Sequence, residues 1–126
     1  MIPAARDFRM VFVMAANEDE SARIAQALVE ENLAACVNIV GPVRSIYRWR
    51  GAIENAREYM LVIKAPKHHF SRLERRVRQL HSYEVPEIVA IPFAAGSRPY
   101  IAWLAESTTE AARSASARSH RRSVGT

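Results

Sequence analysis

Apolar residues recur along the chain with two periods, and the switch between them marks out the elements. Phe8 to Met14 is rich in β-branched and aromatic residues and predicts a buried strand. Helical spacing follows at once. Asn17 suits an N-cap, Glu18, Asp19 and Glu20 suit the positive end of a helix dipole, and Ile24, Leu28 and Val29 recur on one face through Glu31. Leu33 to Val40 reads as a second strand, interrupted by Gly41-Pro42 as at a bulge or bend, and resuming from Val43 to Trp49. Arg50-Gly51-Ala52 predicts a turn, and Glu58 to Lys64 a third strand that pairs back on the second as a hairpin. From Lys67 the period is helical again: Phe70, Leu73, Val77 and Leu80 share a face, while Arg72, Arg75, Arg76 and Arg78 take solvated ones. Pro86 lacks an N–H and restricts Val85 to extended geometry, so it fits the entrance of a fourth strand from Glu87 to Phe93. Ser97 and Pro99 open a short last helix that offers Tyr100, Trp103 and Leu104 for packing.

This order predicts an α+β fold, a ferredoxin-like βαββαβ sandwich with an extra C-terminal helix, in which both crossover helices cover one face of a four-stranded sheet. The other face has no cover within the chain. The third strand is nevertheless apolar in both phases, with Tyr59, Leu61 and Ile63 on one side and Met60 and Val62 on the other. An uncovered apolar face of that size predicts an oligomer whose subunits pack sheet against sheet. Residues 1–107 form the expected domain. Residues 108–126, mainly Ser, Ala, Thr and Arg, hold almost no large apolar residue and predict a flexible basic tail.

Composition narrows the class further. With 126 residues, 49% hydrophobic and 25% charged, the chain suits one compact domain. The formal net charge of +5 is concentrated in good part at the C-terminus, where Arg113, Arg118, Arg121 and Arg122 would give nonspecific nucleic-acid binding at most. A single cysteine excludes an intrachain disulfide framework and favours a reducing compartment. The N-terminal residues lack an apolar signal region, and no run approaches the ~20 residues of a membrane span, so a cytoplasmic protein without a membrane partner is expected.

The densest chemistry lies in His81-Ser82-Tyr83-Glu84, a polar turn that runs straight into the fourth strand. A neutral His81 imidazole is a good ligand for Cu or Zn, and Glu84 is placed to complete or orient it, whereas the plainer reading makes His81 and Tyr83 a helix cap that packs. One imidazole and one carboxylate are too few for a tight site, so further ligands must come from another subunit and binding is expected to be weak. His68 and His69, as helix neighbours, diverge. Cys36 lies among alternating apolar residues and reads first as a small buried thiol. No nucleophile is spaced with a His base and an acid, which argues against an enzyme. Four scattered glycines leave no phosphate loop, and no organic cofactor is evident.

Leu33-Ala34-Ala35-Cys36-Val37-Asn38, Ser45 through Gly51, Glu58 through Lys64, and His81 through Pro92 with Tyr100 and Trp103 together resemble the CutA divalent-cation-tolerance proteins, in matching order from about Phe8 to Ser107. The resemblance implies a homotrimer similar in build to the PII signalling proteins, with hairpins pairing across subunits and clefts at the interfaces. It also implies a non-enzymatic binding protein linked to copper and other divalent cations and to the response to metal ions. His81 and Tyr83-Glu84 fall on the family's His-Pro-Tyr-Glu element, with Ser82 in place of the proline. Trp49, Glu58 and Lys64 fall on positions that line or brace the cleft. Met14-Ala15-Ala16 replaces a Thr-Cys-Pro or Thr-Ala-Pro stretch, and Ala52 and Ala65 stand where Lys and Thr are common, which leaves the cleft more apolar. The alternative is a PII-like sensor of a small anionic metabolite, with Lys64 as counter-charge, Tyr47 and Trp49 as walls, and Tyr83-Glu84 as directional hydrogen-bonding groups. Lys64 and Glu58 as register-fixing ion pairs, with Trp49 as an interface anchor, are a third reading of the same residues.

Overall fold

The computed structural model describes residues 2–109. The elements run β1 (Phe8–Ala15), α1 (Glu18–Glu30), β2 (Cys36–Trp49), β3 (Ala52–Pro66), α2 (Phe70–Leu80), β4 (Ile88–Pro92) and α3 (Arg98–Glu106). The sheet order is β2-β3-β1-β4 with every neighbouring pair antiparallel, which is the expected ferredoxin-like arrangement.

The inner face of the sheet follows from strand alternation. Val11, Val13, Leu61 and Ile63 are fully buried against Ile24 and Leu28 of α1 and Leu73 and Val77 of α2, in one cluster. Each such side chain contributes about 1.5–3 kcal/mol by leaving water. A smaller cluster of Phe8, Ile101 and Leu104 fastens α3 to the start of β1. α1 begins where the Asn17 side chain accepts the Glu20 N–H at 2.8 Å. It ends at Asn32, whose left-handed φ of 64° turns the chain so that the Leu33 and Ala34 N–H groups donate back to the Leu28 carbonyl.

Some expectations shift. Val29, expected on the buried face of α1, is exposed, and Ser21 and Ala25 complete that face instead. β3 starts at Ala52, six residues before the expected Glu58, because alternate pairing continues from Trp49↔Ala52 along the whole hairpin. On α3, Ile101 packs inward while Tyr100 and Trp103 stack on each other outside, with ring centroids 5.8 Å apart. Thr108, expected at the start of the tail, is buried, its hydroxyl donating to the Leu104 carbonyl at 2.9 Å, and the Asn32 amide donates to the Thr109 carbonyl. The remainder of the expected tail, with Arg113, Arg118, Arg121 and Arg122 and their expected nucleic-acid contacts, lies outside the described residues.

The outer face carries Met10, Phe12, Met14, Met60 and Val62, all half-buried, beside exposed Val40, Val89 and Ile91. No element among the described residues covers it. The register of β2 on β3 shifts between Val40 and Val43, at Gly41-Pro42.

Gly41 sits on the Tyr59 ring so closely that an added Cβ would lie 2.3 Å from Cδ1 and 2.9 Å from Cγ. The ring has no flexible far end there to swing aside. Gly41→Ala is therefore expected to cost about 1–3 kcal/mol, and most of that penalty should vanish in a Tyr59→Ala background. Urea unfolding of the four proteins in this cycle checks it, and an equal penalty in both backgrounds would refute the contact as its cause.

Candidate functional site

Two segments distant in sequence build a cleft. The first is the β2-β3 hairpin, closed by a two-residue turn whose Arg50 and Gly51 both have positive φ (49° and 82°), the geometry that matches the strands' twist. The second is the turn from His81 to Glu87 between α2 and β4. Between them lies a cavity of about 900 Å³, walled by Met14, Val43, Ile46, Tyr47, Trp49 and Val85 and bearing the polar groups of Ser45, Arg50, Glu58, Ser82, Tyr83, Glu84 and Glu87.

A buried polar network fixes the second wall. Glu20, on the first turn of α1, accepts the Ala16 N–H at 2.9 Å with one carboxylate oxygen and the Ser82 N–H at 2.6 Å with the other. Burial raises its pKa, but these bonds outweigh that, and the net shift is downward. His81 is buried beside it, Nδ1 lying 3.9 Å from the carboxylate. Its Nε2–H donates to the Met14 carbonyl at 2.7 Å, while Nδ1 accepts the Tyr83 N–H at 3.1 Å. A single neutral tautomer satisfies both bonds. The Tyr83 hydroxyl then donates to Glu58 at 2.7 Å. Burial first, and next this bond to a carboxylate, push the Tyr83 phenol well above its ordinary range, so it remains a donor. Outside, Arg50 pairs with Glu84 at 2.9 Å and lies 5.3 Å over the Trp49 ring.

Tyr47, Trp49, Glu58, Tyr83 and Glu84 thus meet in one cleft, and two of the expected residues do not. His81 stands behind the wall with both ring nitrogens engaged, and Glu84 turns away from it toward Arg50. Coordination by His81 would require the imidazole to give up one of those bonds. Lys64 projects from the outer sheet face, where it donates to Asn38 and lies 4.0 Å from Cys36 Sγ, so the expected counter-charge is absent from the cleft wall. Cys36 is partly exposed rather than buried. Among the described residues, no group of three or more His, Cys, Asp or Glu side chains is placed to hold a metal ion.

Glu20 is the residue that sequence reasoning missed. Its spacing from Asn17 is that of a capping box, the signal for a carboxylate that reaches back over a helix start. Ser82 also gains a role, since a proline there would have no N–H for Glu20.

The chain is thus of the class of ferredoxin-like domains, here with an uncovered apolar sheet face and a long hairpin that walls an acidic, aromatic cleft out to its tip. The sequence profile described as CutA1 divalent ion tolerance protein matches residues 9–107. The divalent-cation tolerance protein CutA of Thermus thermophilus is 50% identical over 99 residues, covering 79% of this chain and 96% of that one. A chloroplastic CutA protein of Arabidopsis thaliana is 38% identical over 99 residues, again 79% of this chain but 54% of the relative's length. Among solved structures, a divalent cation tolerance protein from Thermus thermophilus superposes with a TM-score of 0.79 at 48% identity, over 81% of this chain and 99% of that one. This chain belongs to the CutA divalent-ion tolerance family.

The depressed Glu20 carboxyl makes a signed prediction. A group with lowered folded-state pKa stabilises fully above its unfolded value, about 4.3 for glutamate, and the contribution is lost as pH falls through the lower folded value. Glu20→Gln presents an NH₂ to one of two N–H donors and should cost about 1.5–3 kcal/mol at pH 7. That deficit should shrink as pH drops below about 4. Urea unfolding at both pH values decides, and a pH-independent deficit would contradict the ionised network.

Proposed function

We propose that this chain is a non-enzymatic, homotrimeric binding protein that takes part in the response to divalent metal ions. It holds ions such as Cu(II) or Zn(II) weakly, at clefts where subunits meet. The observation that carries this reading is one open cleft whose lining includes Glu58, Glu84 and Glu87, carboxylates spread along it. Carboxylates are serviceable divalent-cation donors, and a set spread across a cleft mouth binds weakly until a neighbouring subunit adds ligands.

Support for the trimer comes from the uncovered outer face and from the hairpin, where Ile46 and Ile53 are 66% and 62% exposed. Strand edges and apolar residues of that kind are covered by another chain in stable assemblies. The names borne by relatives, divalent-cation tolerance proteins, agree with a role toward metal ions. A lone thiol suits a reducing compartment, and we take the chain to act in the cytoplasm. No helix among the described residues is long and apolar enough to cross a membrane. With Lys64 turned to Asn38, the anionic-metabolite reading keeps Arg50 as its counter-charge in a lining that also holds Glu58, Glu84 and Glu87.

Native mass spectrometry of the metal-stripped protein with graded Cu(II) tests the proposal. The expected species is a trimer that takes up Cu(II), with affinity falling about tenfold in a Glu84→Gln, Glu87→Gln double variant and unchanged in His81→Asn. A monomer, or copper uptake indifferent to the carboxylates, would overturn it. Loss in the His81 variant alone would move the metal onto the imidazole.

A further inference from the structure

The cleft's lining joins its carboxylates to a feature that divalent ions do not need. Three carboxylates stand against a single guanidinium, and the walls between them are aromatic: Tyr47, Trp49 and Tyr83. Trp49 and Tyr47 keep 40% and 42% of their surface exposed in the single chain, so their faces are open to a guest wherever a neighbouring subunit leaves them uncovered. An aromatic face beside a carboxylate attracts a soft organic cation, because the ring quadrupole and the negative charge act on the same ligand. A hydrated metal ion gains little from an indole.

The chain supplies its own demonstration of this chemistry. Arg50 lies 5.3 Å over the Trp49 ring while its Nη2 donates to Glu84 Oε2 at 2.9 Å. One planar cation thus satisfies an aromatic wall and an acid together. Arg50 is held there only by exposed contacts, its side chain and that of Glu84 being 70% and 73% accessible, so displacing it costs little. Glu58, by contrast, is buried and committed to the Tyr83 hydroxyl, and it supplies a fixed negative field at the cleft floor.

We propose that this cleft binds an organic cation of the guanidinium type, and that Arg50 is its built-in competitor. The proposal rests on reading the cleft as the binding site, and it adds a ligand class distinct from metal ions. Two sources share this chemistry: a free guanidinium compound and an arginine side chain of a peptide.

The test follows the Trp49 indole N–H by two-dimensional NMR, with Trp103 as internal reference and a Trp103→Phe variant for assignment. The probes are agmatine, a blocked Gly-Arg-Gly peptide and, as the uncharged isostere control, methylurea. Agmatine or the peptide should shift Trp49 but not Trp103, with an apparent Kd of roughly 0.1–5 mM, and whichever responds identifies the source. Arg50→Asn removes the cation while keeping a residue that tolerates positive φ, and should tighten binding about three- to tenfold. Methylurea acting as well as agmatine, silence from both cationic probes, or unimproved affinity in Arg50→Asn would each overturn the proposal. Copper uptake measured separately keeps the two readings apart. Metal binding without agmatine binding removes the organic cation alone, and the converse result removes the metal.

Discussion

The hydrogen bonds of one buried carboxylate tie this structure together. Glu20 reaches from the start of α1 to the backbone at the end of β1 and to the turn that follows α2, segments about sixty residues apart in sequence. Neither N–H has a strand partner, so without the carboxylate both would be orphans at the edge of the core. The same contact decides where the α2-β4 turn sits, hence where His81 meets the Met14 carbonyl and where Tyr83 meets Glu58. A chain of bonds therefore runs from a helix N-terminus to the cleft floor, each member holding the next in one orientation.

That network also assigns roles by engagement. His81 is spent on structure at both ring nitrogens, and its contribution to the cleft is to aim Tyr83. Glu84, Glu87 and Arg50 are not committed to the core and remain able to meet a ligand or a neighbouring subunit. The wall is rigid behind and adaptable in front.

The backbone plan was legible because its signals are local and redundant. The β-branched and aromatic run from Phe8 to Met14, the Asn17 cap, the Gly41-Pro42 interruption and the Pro86 strand entrance each mark an element through one physical constraint, and the elements appear in that order. Misjudged positions are those where a neighbour in space decides. Val29 lies at the rim of the α1 stripe, where the sheet no longer covers it, and Ala52 to Arg57 continue β3 because the partner strand supplies the pairing. The cleft was legible in part. Tyr47, Trp49, Glu58, Tyr83 and Glu84 line one cleft, whereas Lys64, on the same face of β3 as Glu58, lies six residues further along the strand beside Asn38. Glu20 carried a readable capping signal, yet its second partner, the Ser82 N–H, is a long-range contact that no spacing rule reveals.

The outer sheet face and the cleft are best understood together. Met14 belongs to both, lying in the row with Phe12 and Met60 and also at the cleft wall. Covering the apolar face by a second subunit would thus bring foreign side chains to the rim of the cleft, beside Val43 and Ser45 of the hairpin. Assembly and ligand capture would then share a surface, and a ligand bridging the rim would stabilise the assembly by mass action. In an assembly covered in that way, ligand-dependent stability would follow from where the cleft lies.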